Sequence, residues 1–424
     1  MKKYFKKLPP ALKKIINSAQ LVAAKTKMPA FLVGGCLRDL ILGAKHCDLD
    51  ITVEGDGILF AEKLAEKLKA KIIIHERFKT ATLILPGDLK LDIATTRHET
   101  YPAPAALPLV SPGRLLDDLS RRDFTINALA ANISLAAGEP IIDLFSCQND
   151  LAAGRIRILH DLSFKDDPTR ILRAVRFSQR FGFRIEAKTF RLLREAINQG
   201  LLDKVHPHRL RDELILILKE SDPFGPLKVL SQLGALSFIS PKLKVDQKTK
   251  SLFKSAKKEL DWFVKNFPAR RQLDRWLVYL ALLLNPLSLP KIKLVSQRLG
   301  LRKGEQKRLV SYYQGRAKLN VALSKSKVLA QEVFSLLEPL SYETIMLLRA
   351  TAKNKNLKKH LSDFFEVYNG MRLCVSGHDL GSLGILPGPQ YQKIFAKVLA
   401  AKLNGQVKNR QAELALIRRL AFNR

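Results

Sequence analysis

The chain has 424 residues, with 73 Lys and Arg against 39 Asp and Glu, a formal charge of +34. Hydrophobic residues make up 46% and charged residues 26%, which excludes a disordered polyelectrolyte and fits roughly two to four folded domains. So large a basic excess favours a polyanionic partner, nucleic acid or an anionic membrane face, over a solubility device, which acidic residues serve better.

Residues 1–27 start basic but lack the apolar core of a signal peptide. Leu12, Ile15, Ile16 and Ala19 instead recur at helical spacing and predict an amphipathic helix. An apolar strand at 31–33 then meets the Gly34-Gly35 turn, a short helix at 37–42 and Gly43. Further strands are expected at 48–53, 71–75, 80–85, 90–94 and 125–131, with a helix over 57–70. Beyond Asp161 helical periodicity takes over, at 168–181, 187–198, 207–219, 223–233, 273–284, 291–299, 304–318 and later segments. Proline and glycine mark the joints, and no fixed-period repeat is visible. The predicted architecture is α+β, a mixed head to about residue 157 followed by a long all-helical arm.

Cys36, Cys47, Cys147 and Cys374 are too scattered for a zinc knuckle or a disulfide framework, so reduced thiols are expected. The most apolar run, Trp276 to Leu284, is about half of a bilayer span, and the expected location is the cytosol. Lys and Arg spread along the arm, as in Lys242 to Lys258 and Lys393 to Arg410, and read as a surface that tracks RNA phosphates. No aromatic stacking motif accompanies them, which favours recognition by shape and backbone. His206 and His208 flank Pro207 and read as structural rather than metal-binding. Nothing in the sequence sets an oligomeric state.

Three strings carry chemistry. In the first, Asp48 and Asp50 stand two apart on a strand, so their carboxylates converge on one face. Paired hard oxygen ligands favour Mg²⁺. Upstream, Gly34 and Gly35 allow close backbone approach to a polyanion, the following helix N-terminus offers N–H groups, and Arg38, beside Asp39, adds a charge. These parts fit a nucleoside triphosphate and a metal beside a reacting hydroxyl. Asp92, on the 90–94 strand, is a third carboxylate that can complete a metal cluster or act on the attacking hydroxyl.

The second string is Arg121-Arg122-Asp123-Phe124-Thr125-Ile126-Asn127-Ala128. Here Arg122 suits phosphate, while Asp123 and Asn127 suit the sugar or hold Arg122 in place. The third runs from Asp166-Asp167-Pro168-Thr169-Arg170 through Arg173 and Arg176 to Phe177. Asp167-Pro168 starts a helix, with Asp as its cap. Asp167 and Arg170 can face one pocket, while Arg176 turns elsewhere, towards a domain joint or RNA. A carboxylate accepts the exocyclic amine of cytosine or adenine, and a guanidinium donates to the adjacent ring nitrogen. Uracil and guanine present the reverse order and leave buried groups unpaired.

These strings, in this order, resemble the class II tRNA nucleotidyltransferase and poly(A) polymerase family, which includes CCA-adding enzymes. The stretch Pro207-His208-Arg209-Leu210-Arg211-Asp212-Glu213 and the later Gly377-His378-Asp379-Leu380 are similar to further family motifs. The resemblance implies a polymerase-β-like nucleotidyltransferase head at 1–157, a helical neck at 158–235 carrying base recognition, and a tRNA-binding body and tail at 236–424. It makes Asp48 and Asp50 the metal ligands. Gly35, Arg38 and Arg122 become triphosphate positions, within motifs that include Gly34, Asp39, Asp123 and Asn127. Asp167, Arg170, Arg173 and Arg176 fall on the nucleotide-binding helix. One departure is Asp166, where the family has Glu, a shorter side chain for holding Arg170.

The implied reaction is attack by an RNA 3′-hydroxyl on the α-phosphate of CTP or ATP, with Mg²⁺ bound and pyrophosphate leaving. Within the family the rivals are A-only, CC-only and poly(A) addition. The segment 97–119, with Pro102, Pro104, Pro108 and Pro112, takes the place of the flexible loop linked to switching from C to A. From another class, the rival is a non-catalytic RNA-binding protein on a degenerate polymerase head.

Overall fold

A six-stranded sheet organises the first half of the chain. Its strands lie in the order β3 (Lys71–His75), β4 (Thr80–Ile84), β5 (Lys90–Thr95), β2 (Leu49–Val53), β1 (Ala30–Val33), β8 (Ala130–Asn132) in a computed structural model that describes residues 8–44, 49–87, 89–133, 141–241 and 243–422. The N-terminal helix Pro10–Thr26 buries Leu12, Ile15, Ile16 and Ala19, the stripe its spacing predicted. Strand β1, Ala30–Val33, is buried throughout and pairs antiparallel with β2, Leu49–Val53. The helix Gly57–Leu68 follows, with the Asp56 carboxylate accepting from the backbone N–H groups of Ile58 and Leu59 at 3.0 Å. Its buried Ile58, Phe60, Ala61 and Leu64 form an apolar stripe. Gly57 is demanded by space, since a Cβ there would stand 2.7 Å from the Thr95 nitrogen.

β3, Lys71–His75, and β4, Thr80–Ile84, pair antiparallel, and β4 pairs likewise with β5, Lys90–Thr95. β5 returns parallel to β2, and its alternation puts Leu91 and Ile93 inside and Asp92 outside. Next comes a two-stranded ribbon, β6 at Arg97–Thr100 and β7 at Leu109–Pro112. It occupies the segment expected to be a flexible loop. Its prolines lie in the connection or at a strand end, where a missing donor costs little. The strand expected at 125–131 is corrected. Thr125–Asn127 is a single 3₁₀ turn, and only β8, Ala130–Asn132, joins the sheet, beside β1. The Thr125 hydroxyl donates to buried Asp150 at 2.7 Å, which holds the turn in place.

After a short helix Ser163–Asp166, the helices Thr169–Phe181, Ala187–Asn198 and Pro207–Leu218 follow closely the predicted segments. Two-residue strands β9, Arg155–Ile156, and β10, Arg184–Ile185, pair parallel. The chain divides into two compact units, residues 1–220 with 225–241, and residues 221–224 with 242–424.

In the second unit every described element is helical. Its core includes Arg275–Leu284, in which Trp276 through Leu284 are all buried, so the most apolar run of the sequence is interior packing. Buried Glu259 accepts from Arg349 at 2.9 Å and Lys358 at 2.7 Å, and Arg349 lies over the Trp262 ring at 3.7 Å. Towards the C-terminus, Leu380, Ile394, Val398 and Ile417 form a small separate core. Among the described residues, no helix is long and apolar enough to cross a membrane.

Candidate active site

Gly34 shapes the turn between β1 and the helix Gly35–Ile41. Its φ of +69° lies in the region that favours glycine, and a Cβ there would stand 2.5 Å from an Arg122 nitrogen. That close approach brings the first and second strings of the sequence together. Arg38 is 6% exposed, and its Nε donates to Asp39 at 2.8 Å. Another of its nitrogens donates to the Asn127 side-chain oxygen, and its guanidinium lies 4.8 Å from the Phe181 ring centre. Asp39 is thus the partner of Arg38.

Arg122 is held by Asp118 at 2.9 Å and by the Asn127 carbonyl at 3.3 Å. Of the two residues expected to meet the sugar or hold Arg122, Asn127 does hold it, through its backbone carbonyl, while the carboxylate on Arg122 is that of Asp118 and not of Asp123. Burial pushes the Asp118 carboxyl up, but Arg122 and Arg121 outweigh that and hold it below the ordinary carboxylate range. Asp123 has other work. One of its oxygens accepts from Asn127 at 2.8 Å and the other from Arg173 at 2.8 Å. Its carboxyl too, pushed up by burial, ends below the usual value because Arg173 and Asn127 stabilise the charge.

Asp50 and Asp92 are register partners on the parallel pair β2 and β5. Adjacent strands are about 4.8 Å apart, so both carboxylates reach one small volume. The Thr82 hydroxyl, on β4, donates to Asp92 at 2.6 Å. A cavity of about 400 Å³ is lined by Asp50, Asp92, Thr82, Asp118 and Arg122. Asp48 lies outside the described residues. Among the described residues no group of three or more His, Cys, Asp or Glu gathers as a metal cage. Two neighbouring carboxylates are nonetheless a hard-oxygen donor pair, suited to a hard divalent cation that keeps waters and substrate oxygens.

A second cavity, about 530 Å³, joins the remaining parts. Gly35, Arg38, Asp50 and Arg122 line it together with Asp123, Asn127, Asp167, Arg170 and Arg173. Asp167 stands one residue before Pro168, the N-cap of the helix Thr169–Phe181, accepts from the Thr169 N–H at 3.0 Å, and pairs with Arg209 at 2.8 Å. Arg170, 4% exposed, donates to the Ser163 hydroxyl and to the Arg121 carbonyl, each at 2.6 Å. The hydrogen bonds of Arg170 thus go to Ser163 and Arg121, and Asp166, expected to hold it less well than the family's Glu, acts on it through charge. It faces His160 at 3.9 Å, and burial raises its carboxyl above the ordinary value.

Arg173 bridges Asp123 and Glu213, each at 2.8 Å. Arg176 is 5% exposed, 3.1 Å from Glu213 and stacked 4.7 Å over the Phe177 ring. The expectation that it turns towards RNA or a domain joint is corrected, because Glu213 on the helix Pro207–Leu218 holds it inside the same unit.

Sequence reasoning missed Asp118, Glu99, Tyr101 and the pocket role of Arg209. Asp118 stands four residues before Arg122, a helical ion-pair spacing that was readable. Arg97, Glu99 and Tyr101 alternate on and just after β6. Glu99 accepts from Arg97 at 2.9 Å, Arg121 at 3.0 Å and the Tyr101 hydroxyl at 2.9 Å. His206 and His208 stack at 5.0 Å.

Residues 30–157 match the model of the Poly A polymerase head domain, and residues 182–247 match the Probable RNA and SrmB- binding site of polymerase A. An A-adding tRNA nucleotidyltransferase of Geobacter sulfurreducens is 37% identical over 94% of this chain, which spans 46% of that relative's length. Another, from Halalkalibacterium halodurans, is 33% identical over 94% of this chain and 90% of its own. Among solved structures, a CCA-adding enzyme in apo form II superposes with a TM-score of 0.75 at 34% identity, covering 97% of this chain and 96% of that one. The Thermotoga maritima CCA-adding enzyme complexed with tRNA gives 0.70 at 32%, covering 98% and 97%. A CCA-adding enzyme complexed with ATP gives 0.73 at 32%, covering 98% and 96%. With the glycine turn, the strand-borne Asp50 and the arginine helix converging on one cavity, and with these relatives, the chain belongs to the class II tRNA nucleotidyltransferase and poly(A) polymerase family.

Proposed function

We propose that this chain extends the 3′ end of a tRNA in the cytoplasm, taking nucleotides from CTP and ATP without a nucleic-acid template and releasing pyrophosphate. The observation that carries this reading is the single cavity in which Arg38 and Arg122 meet Asp50 at one side and Asp167 with Arg170 at the other. In it, Arg38 and Arg122 bind the triphosphate. Asp123 and Asn127 orient Arg38 and Arg173 and lie where ribose hydroxyls can be met. Asp167 and Arg170 read the base, accepting C and A and refusing U and G. Asp50 and its register partner Asp92, together with Asp48, would hold Mg²⁺, which supplies Lewis-acid activation of the 3′-hydroxyl and charge neutralisation of the leaving group. Positioning and preorganised charge supply most of the rate. The functional division is a head at 1–157, a neck at 158–235 and a tRNA-binding body and tail at 236–424, whose basic surface makes affinity fall with salt.

A second reading, addition of A alone, is favoured by the names of the two relatives matched over 94% of this chain. The experiment is a sequencing gel of tRNA transcripts ending at the discriminator base or at CC, incubated with CTP, ATP or both. Full CCA addition extends the first transcript by three residues when both nucleotides are supplied. A-only addition leaves it untouched and extends only the second. No extension of either transcript sinks both readings.

A further inference from the structure

Asp167 enters the base pocket with most of its accepting capacity already used. One carboxylate oxygen takes the Thr169 N–H at 3.0 Å and the Thr169 hydroxyl at 2.6 Å, which fills both lone pairs of that atom. The other lies 2.8 Å from a guanidinium nitrogen of Arg209. One lone pair is then left to face the cavity that Asp167, Arg170 and Arg209 line together. The two anchors come from different segments, Thr169 from the start of its own helix and Arg209 from the helix Pro207–Leu218. Together they fix the rotation of the carboxylate plane, which a single anchor leaves open. A second guanidinium nitrogen of Arg209 is buried with no partner, so no saturated network of its own explains its place.

We propose that Arg209 is a positioning residue for base selection, holding Asp167 so that one acceptor, in one direction, meets one amine N–H. This rests on the reading of Asp167 and Arg170 as the base-reading pair. With Arg209 in place, the remaining lone pair receives the exocyclic amine of adenine or cytosine and repels the carbonyl that guanine or uracil puts there. Without it, the carboxylate rotates towards the nearby Arg170 cation, and both readers lose register with the base.

The test is steady-state incorporation of each of the four nucleotides into a tRNA transcript by the full chain carrying R209Q, R209K or D167A. R209Q is expected to lower kcat/KM for ATP by about 10- to 100-fold and the ATP-to-GTP preference by a similar factor. Inhibition by inorganic tripolyphosphate, which reports Arg38 and Arg122, stays at the native level, and R209K recovers part of the preference. An equal fall for all four nucleotides, or a native preference in R209Q while D167A loses it, overturns the role of Arg209 alone. A native preference in D167A overturns the base-reading assignment beneath it.

Discussion

Two sets of carboxylates stand within one cavity system and differ in what surrounds them. Asp92 projects from the outward face of β5 with a neutral hydroxyl, Thr82, as its neighbour at 2.6 Å. Asp118 is 1% exposed, paired with Arg121 at 2.5 Å and Arg122 at 2.9 Å, and Asp123 is likewise committed to Arg173 and Asn127. The contrast teaches that acidity in a site does not by itself mark a reacting group. A carboxylate whose lone pairs are taken by arginines is scaffold. One that keeps them towards a cavity can take a cation or a proton.

The sharpest way to break this contrast is to remove one strand-borne carboxylate and one arginine-paired carboxylate. Asp50→Ala is expected to lower nucleotide addition by about 10³-fold or more while tRNA affinity in a filter-binding assay stays native. Loss of both together would show that Asp50 belongs with the scaffold. Asp118→Ala strips a buried partner from two arginines and should cost about 3–5 kcal/mol of unfolding free energy in a urea titration. A variant as stable as the native chain would mean that Asp118 is no scaffold.

Glu343, in the second unit, extends the comparison to pH. Burial pushes its carboxyl up, but Arg271, at 2.8 and 2.6 Å, and the Asp274 N–H bring it down from 4.5 to about 2. With the folded-state value depressed, its stabilisation is present above 4.5 and drains away as pH falls towards 2. Glu343→Gln should therefore flatten the acid limb of a stability-against-pH curve in that window, and an unchanged slope would refute the assignment. The smallest effect belongs to Thr82→Val, which removes the hydroxyl that orients Asp92. It should lower kcat by about fivefold with KM for ATP unchanged, and Thr82→Ser should restore it.

What could be read from the residues follows contact distance along the chain. The glycine turn, the strand that carries Asp50 and the arginine helix are local strings whose spacing carries their geometry, and helix limits at Ala187–Asn198 and Pro207–Leu218 follow the same rule. Arg209 reaching Asp167, and Glu213 taking Arg173 and Arg176, join positions some 40 residues apart that no periodicity connects. The 125–131 segment looked like a strand because its residues are apolar and β-branched, yet a long-range bond from Thr125 to Asp150 makes a turn of its start. Proline hid the β6–β7 ribbon, because it signals a loop even when it sits where no ladder donor is needed.

From Arg38 through Asn127, Asp123, Arg173 and Glu213 to Arg176, an unbroken file of hydrogen-bonded side chains links the glycine turn to the arginine helix. Each inner member is shared by two neighbours, so none of them can reorient alone. Ordering either end lowers the entropy that the other must still lose, and by linkage the favour is returned in equal measure. Under the proposed function, the phosphate tail at Arg38 and the part of the substrate that meets Arg173 in the same cavity would be cooperative ligands of each other, and a fragment carrying only one of them would meet a looser receptor.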